Sequence, residues 1–331
     1  MQVVTPEFVK GKKVLLRYDI DVALGKGTGD RLQVTEDFKL KAGLETLKLC
    51  LENAEQVILM GHLGRPEGRV VPELSVEPIR QWFSEQGYAA DLESGKLKIL
   101  ENLRFDPREE AADLGFAKEL AQTGEVYVNE SFSAYHRGAS TTVLPTLLPH
   151  SAGLRFAEEV RVLTTVRENP KKPLVAIMGG AKVKDKLPVI NALAQEADVV
   201  LVGGKLASDP TLTSTIVERN VVVGELNEAG TDINSETVGA WRNWISKAAL
   251  IVWNGPLGKF EEPENDATGK VLRMVLDSGA EVVMGGGDSV AALNQYGLLK
   301  EAEEKAFVSV GGGAMLKFLA DGILSTIQAL V

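Results

Sequence analysis

Two stretches of this chain put glycine and cationic side chains directly after apolar runs. Gly61-His62-Leu63-Gly64-Arg65-Pro66 follows the run Gln56–Met60, and Gly179-Gly180-Ala181-Lys182-Val183-Lys184-Asp185-Lys186 follows Leu174–Met178. If those runs are strands, both loops lie at carboxyl ends, which is where open α/β sheets bind ligands. Imidazole, guanidinium and ammonium groups at such a position suit anionic oxygen.

The first half repeats the pattern. Arg104 follows a third apolar run in Glu101-Asn102-Leu103-Arg104-Phe105, and His136 and Arg137 follow a fourth. Asp19 and Asp21 follow the first run, and Lys39 opens the helical stretch after it. Arginine recognises phosphate or carboxylate through paired N–H groups, and carboxylates accept from substrate hydroxyls. Each Arg taken singly reads as a surface charge, but several at successive strand ends point to a small polyanion site. The three histidines do not suggest a metal site, because His150 stands apart and no ligand spacing appears.

In the second half, four glycine-rich turns follow apolar runs. They are Gly179-Gly180-Ala181-Lys182, Asn254-Gly255-Pro256-Leu257-Gly258, Gly285-Gly286-Gly287-Asp288-Ser289 and Gly311-Gly312-Gly313. The first lacks the Gly-Lys-Ser/Thr ending of a P-loop. Backbone N–H groups at a helix N-terminus still hold phosphate. Asp288 and Ser289 suit Mg²⁺ and phosphate, so the set favours a nucleotide. For Gly311-Gly312-Gly313, glycine serving a tight turn is an adequate reading.

The elements that must position these residues alternate along the whole chain. Strand-like runs cover 14–18, 56–60, 97–100 and 126–128, then 174–178, 199–202, 221–223, 250–253, 281–284 and 307–310. Leu40, Leu44, Leu47 and Leu51 recur at helical spacing after Thr35, a candidate N-cap, and further helical patterns cover 185–196 and 267–276. Alternating strands and helices imply parallel sheets flanked by helices, here two of them. The helical pattern 156–169 ends at Asn169-Pro170-Lys171-Lys172-Pro173 and marks the boundary.

The chain has 331 residues, with 44% hydrophobic and 25% charged side chains and a net charge of −10. That acidity and the lack of a basic stripe disfavour nucleic acid as a partner. No apolar run reaches membrane-spanning length, and the first residues do not read as a secretory signal. The single cysteine, Cys50, lies in an apolar helical pattern and reads as a buried thiol. Without a disulfide framework a reducing, cytoplasmic location is expected.

Taken together, these segments resemble the phosphoglycerate kinase family over nearly the full length. Arg17-Tyr18-Asp19-Ile20-Asp21-Val22, His62-Leu63-Gly64-Arg65-Pro66, Glu101 to Phe105, Tyr127-Val128-Asn129, Gly179 to Lys186, Val252 to Pro256, Gly285 to Asp288 and Gly311 to Ala314 carry the resemblance, in order and spacing. It implies two Rossmann-like α/β domains joined by a hinge helix. A 3-phosphoglycerate-binding domain would span 1–155, the interdomain helix and linker 156–172, and a nucleotide-binding domain 173–313. The tail 314–331 would return to the first domain.

The implied reaction is reversible phosphoryl transfer between 1,3-bisphosphoglycerate and ADP, giving 3-phosphoglycerate and ATP with Mg²⁺, in a cytoplasmic monomer. Asp19, Asp21, His62, Arg65, Arg104 and Arg137 match substrate positions. Lys39, Lys182 and Lys186 match catalytic positions. Gly180, Ala181, Lys182, Lys186, Gly204, Asn254, Pro256, Glu261, Gly286, Gly287, Asp288 and Ser289 match nucleotide positions, with Asp288 on the metal. Four features depart from the family pattern. Lysine stands at 39 for arginine and aspartate at 21 for asparagine, the turn Gly203-Gly204-Lys205-Leu206-Ala207 differs from Gly-Gly-Gly-Met-Ala, and the stretch 207–252 is short. Lys39, Asp21 and the short stretch motivate a second reading, a weakly active or non-catalytic binding protein with an altered nucleotide pocket. A dinucleotide-dependent oxidoreductase is disfavoured, because no Gly-x-Gly-x-x-Gly opens the first unit.

Overall fold

Apolar runs flanked by helical patterns become strands covered on both faces. A computed structural model describes residues 1–27, 29, 31–181, 183–210, 212 and 220–331. They group into two units, Met1–Arg161 with Ile323–Val331, and Val162–Gly322. The helix Leu154–Glu168 contains the division.

The first unit holds β1 (Lys13–Arg17), β2 (Leu24–Lys26), β3 (Leu32–Val34), β4 (Gln56–Met60), β5 (Leu97–Ile99), β6 (Val126–Asn129) and β7 (His150–Ala152). Five of these form a parallel sheet in the order β5-β4-β1-β6-β7. The chain leaves β1 toward β4 and β5, then returns to the other side for β6 and β7. The crevice at such a reversal is where ligands bind. Register places Arg17 beside both Met60 and Asn129, so the loops after β1, β4 and β6 start level.

The hairpin β2–β3 and the edge strand β7 are additions to the expected strands. The helix after β3 also differs from expectation. It starts at Phe38 with Asp37 at the N-cap position, and a glycine at 43 separates it from a second helix, Leu44–Asn53. Thr35 is no cap; its hydroxyl donates to Ala23 O, while Glu36 accepts from Phe38 N. Only glycine fits at this break, since a Cβ at 43 would lie 2.5 Å from the Tyr18 ring. Cys50 is buried, and burial together with nearby Glu130 pushes its thiol up to about 12.

The second unit holds β8 (Leu174–Met178), β9 (Val199–Val202), β10 (Val221–Val223), β11 (Leu250–Asn254), β12 (Glu281–Gly285) and β13 (Phe307–Ser309). They form one parallel sheet, β10-β9-β8-β11-β12-β13, again with the reversal beside its first strand. Val202, Met178, Asn254 and Gly285 stand in one row across it. Among the described residues no helix is long and apolar enough to cross a membrane.

The N-terminus of the helix Leu154–Glu168 is sealed by side chains of the first unit. Leu154 N donates to Thr46 Oγ1, Arg155 N to Glu130 Oε1 and Phe156 N to Glu130 Oε2. These bonds satisfy amides that a helix start leaves unpaired. The carboxylate comes so close that a Cβ at 153 would lie 1.9 Å from Glu130 Oε2, which only glycine avoids. Burial raises the Glu130 carboxyl to about 8, against hydrogen bonds from Thr46, Phe156 and Arg155 that pull it down.

A raised carboxyl pKa means that the folded state holds a proton the unfolded state has released. Stability from this group is therefore greatest near pH 4.5 and falls as pH rises toward 8, by up to about 1.4 kcal/mol per unit. We expect urea midpoints of the wild type to decline across this window. Glu130→Gln should flatten the decline; an unchanged slope would assign it to other groups.

Candidate active site

Arg17 ends β1 and is only 1% exposed. Its Nε donates to Ser140 Oγ at 3.0 Å, its Nη1 to Tyr18 O at 2.7 Å, and its Nη2 lies 2.7 Å from His62 Nδ1. Ser140 in turn donates to buried Glu109 through both its hydroxyl and its amide. A guanidinium has no acceptor and does not lose its proton in proteins. Nδ1 of His62 therefore accepts, and the neutral imidazole carries its proton on Nε2. Burial lowers the His62 pKa well below the usual histidine value, helped by Arg17, Arg104, Lys39 and His136. His62 thus offers a fixed N–H donor, with Nε2 3.8 Å from Asp21 Oδ2.

Around this donor the other residues converge. Asp19 is 4% exposed, and neither carboxylate oxygen has a hydrogen-bond partner among the described residues. Lys39 Nζ stands 3.7 Å from Asp19 Oδ1 and donates to Asp21 O at 3.0 Å. Burial alone would lower the Lys39 pKa, but Asp19 and Asp21 more than offset it, and the net shift is upward. Asp21 Oδ1 accepts from Gly64 N, and Arg104 donates to Gly64 O while pairing with Glu110 at 3.2 Å.

Arg17, His62, Arg104, His136 and Arg137 line one small cavity. Arg65 is exposed and outside that lining, and its side chain has no partner among the described residues. A roomier cavity between helices Ser235–Ile245 and Ala267–Leu276 contains none of these residues.

In the second unit the level strand ends are laced together by backbone. Gly179 N donates to Asn254 O, Gly180 N to Pro256 O and Gly204 N to Leu257 O. Such closeness requires glycine at 179, where a Cβ would lie 2.1 Å from Pro256 O. Asn254 Nδ2 donates to Gly285 O, and Gly255 N donates to Ser289 Oγ. Lys186 is buried and donates to Gly179 O and Asn254 O. Gly286 has φ 113° and leads into the helix Gly287–Gln295, whose first turn exposes Asp288. Ala181, Glu261 and Gly287 are exposed beside these turns, and Gly180 and Gly286 are partly so. Lys182 lies outside the described residues.

Sequence reasoning did not single out Arg17, Ser140 or Glu109. Arg17 had one available signal, a charge at the end of an otherwise apolar run. Ser140 and Glu109 had none, since only tertiary contacts join them.

A family model described as "Phosphoglycerate kinase" matches residues 5–216 and 209–322. The chain belongs to the phosphoglycerate kinase family. It is similar to the phosphoglycerate kinase of Roseiflexus castenholzii, 34% identical over 97% of this chain and 96% of the relative. It is also similar to that of Herpetosiphon aurantiacus, 35% identical over 97% and 96%. Among solved structures, the phosphoglycerate kinase of Pyrococcus horikoshii OT3 superposes with a TM-score of 0.84 at 25% identity, covering 100% of this chain and 98% of that one. The enzyme from Coxiella burnetii gives 0.81 at 27% identity, covering 97% and 96%.

Those alignments run over 388 and 386 positions, against 331 residues here. The two matched pieces of the family model meet at 209–216. This member of the phosphoglycerate kinase family is therefore shortened relative to its relatives, with the break in the family match falling at 209–216.

Removing Arg17 should release His62. In Arg17→Gln the His62 pKa should rise toward 6.5, and the share of the Nε2–H tautomer should fall, both read by imidazole ¹⁵N shifts. Unchanged shifts would show that the tautomer is set elsewhere.

Proposed function

We propose that this chain catalyses reversible phosphoryl transfer between 1,3-bisphosphoglycerate and ADP, giving 3-phosphoglycerate and ATP, a step of glycolysis. One observation carries this reading. A chain matched by the family model over 5–322 pairs a buried, neutral His62 donor among arginines in one unit with a row of amide-lined turns in the other. The first set suits a phosphorylated hydroxy acid: Asp19 would accept from its hydroxyl, and His62, Arg65, Arg104 and Arg137 would bind its anionic oxygens. The second suits a nucleoside diphosphate, with Gly180, Ala181, Lys182, Lys186, Gly204, Asn254, Pro256 and Glu261 around it and Gly286, Gly287, Asp288 and Ser289 at its phosphates.

Transfer of this kind depends on positioning and charge stabilisation. In ATP synthesis an oxygen of the terminal phosphate of ADP attacks phosphorus, the bond to the carboxyl oxygen breaks, and a carboxylate leaves. The attacking oxygen is already ionised, so no general base is required. We assign Lys39 and Lys182 to charge neutralisation at the transferring group, together with the helix start at Gly287, and Lys186, buried against Gly179 O and Asn254 O, to holding the turns beside it. Asp288 fits Mg²⁺, which takes one or two carboxylates and completes its shell with phosphates and water. Bound there with the nucleotide, the ion would neutralise phosphate charge. We further propose a cytoplasmic monomer.

Purified protein should form ATP from ADP and 1,3-bisphosphoglycerate in a coupled assay, with Mg²⁺ required. Lys39→Ala should lose more than tenfold in turnover, about 1.4 kcal/mol or above. Absence of turnover in the wild type, in either direction, would return the chain to the reading of a binding protein.

Arg65→Ala separates the two ligands. Calorimetry should show 3-phosphoglycerate binding weakened by roughly 1.5–3 kcal/mol, with ADP binding nearly unchanged. Equal loss of both would mean that Arg65 acts on the fold and not on the acid.

A further inference from the structure

We infer that the Asp21 carboxylate is a specificity-determining group of the acid site: it shares the donors that hold the acid and so weakens the binding of an anion there. This rests on the first unit binding a phosphorylated hydroxy acid, as proposed above.

The donors of this site already face a carboxylate of the chain itself. Asp21 Oδ1 accepts from Gly64 N at 2.9 Å. Its Oδ2 stands 3.8 Å from His62 Nε2, the nitrogen that carries the imidazole proton because Arg17 occupies the other. The same charge is felt at Lys39, after that of Asp19, and at Arg104, after that of Glu110. One carboxylate thus bears on His62, Arg104 and Lys39 together.

Distance makes the conflict unavoidable. A ligand oxygen bound to His62 Nε2 lies about 3 Å from that nitrogen. Since Oδ2 is 3.8 Å from the same nitrogen, the two oxygens are less than about 7 Å apart in any pose. That is within one Debye length at physiological salt, so like charges there repel. The Asp21 side chain is 39% exposed, and water moderates the repulsion without removing it.

The two roles of this side chain separate. The bond to Gly64 N needs one acceptor oxygen, which asparagine also has. It fixes a peptide whose carbonyl takes Arg104, and so sets where Arg65 begins. None of this requires a charge. An amide at 21 would keep the bond and turn its NH₂ toward the His62 N–H. Two donors would then face one ligand oxygen, in place of a donor and a like charge. The Lys39 bond would survive, because it goes to the Asp21 backbone carbonyl.

The test is calorimetry of 3-phosphoglycerate and ADP with the full chain, at low and high salt, in the wild type, Asp21→Asn and Asp21→Glu, alongside steady-state turnover. Asp21→Asn should bind 3-phosphoglycerate about tenfold more tightly at low salt, or 1.4 kcal/mol, and the gain should shrink as salt rises. Its KM for 3-phosphoglycerate should fall with kcat no higher, and its ADP affinity should stay within about twofold. Asp21→Glu keeps the charge and should show no gain. Unchanged or weaker 3-phosphoglycerate binding in Asp21→Asn overturns the inference. So does a gain that salt leaves untouched, or an equal gain in Asp21→Glu. If the wild type binds the acid and Asp21→Asn gains nothing, only the inference falls. If no form of the protein binds it, the reading of the acid site fails and the inference with it.

Discussion

A buried guanidinium governs the first unit. Burying a charge is costly unless polar partners replace its water. Arg17 meets Ser140, a backbone carbonyl and His62, and its nearest compensating carboxylate, Glu109, acts one step away through Ser140. No carboxylate among the described residues touches Arg17 directly, so its positive field reaches the mouth of the crevice instead of being quenched. Burial keeps His62 neutral with help from that field, and the Arg17 donor sets which nitrogen carries its proton. The loops after β4 and β6 must close over this group, which fixes where their other cations stand.

On the proposed function, the two units handle anions by different means on the same plan. Both use a parallel sheet whose strand ends are level and a reversal beside the first strand. In the first unit, side chains supply the charge, and Lys39 with Asp19 and Asp21 forms a counter-charged rim. In the second, backbone amides and a helix start do most of the work, while Lys186 is turned inward to bind carbonyls of the turns. Aspartate at 21 and lysine at 39 belong together in this picture, because the Asp21 carboxylate, after Asp19, helps raise the Lys39 pKa, although the Lys39 hydrogen bond goes to the Asp21 backbone carbonyl.

Much of this was legible in the sequence. Apolar runs of four or five residues bounded by glycine read directly as buried parallel strands, and the cationic loops after them read as a site. What escaped had no one-dimensional signature. The strand β7 is His-Ser-Ala, and only its pairing with β6 makes it a strand. The hairpin β2–β3 has no clean alternation of buried and exposed positions. The glycine at the helix break is required by a tyrosine distant in sequence, whose hydroxyl also donates to the carbonyl of Leu40. Arg17 looked like a strand terminus because its side-chain partners, Ser140 and His62, come from two remote segments.

The second unit is a single continuous stretch, Val162–Gly322, whereas the first is closed by Ile323–Val331. Ser325 in that last segment donates to Tyr135 O, and Thr326 is fully buried there. During synthesis the ribosome therefore releases every residue of the second unit before the piece that completes the first. The amino-terminal unit, although made first, gains its last piece only after the whole of the second unit has been synthesised.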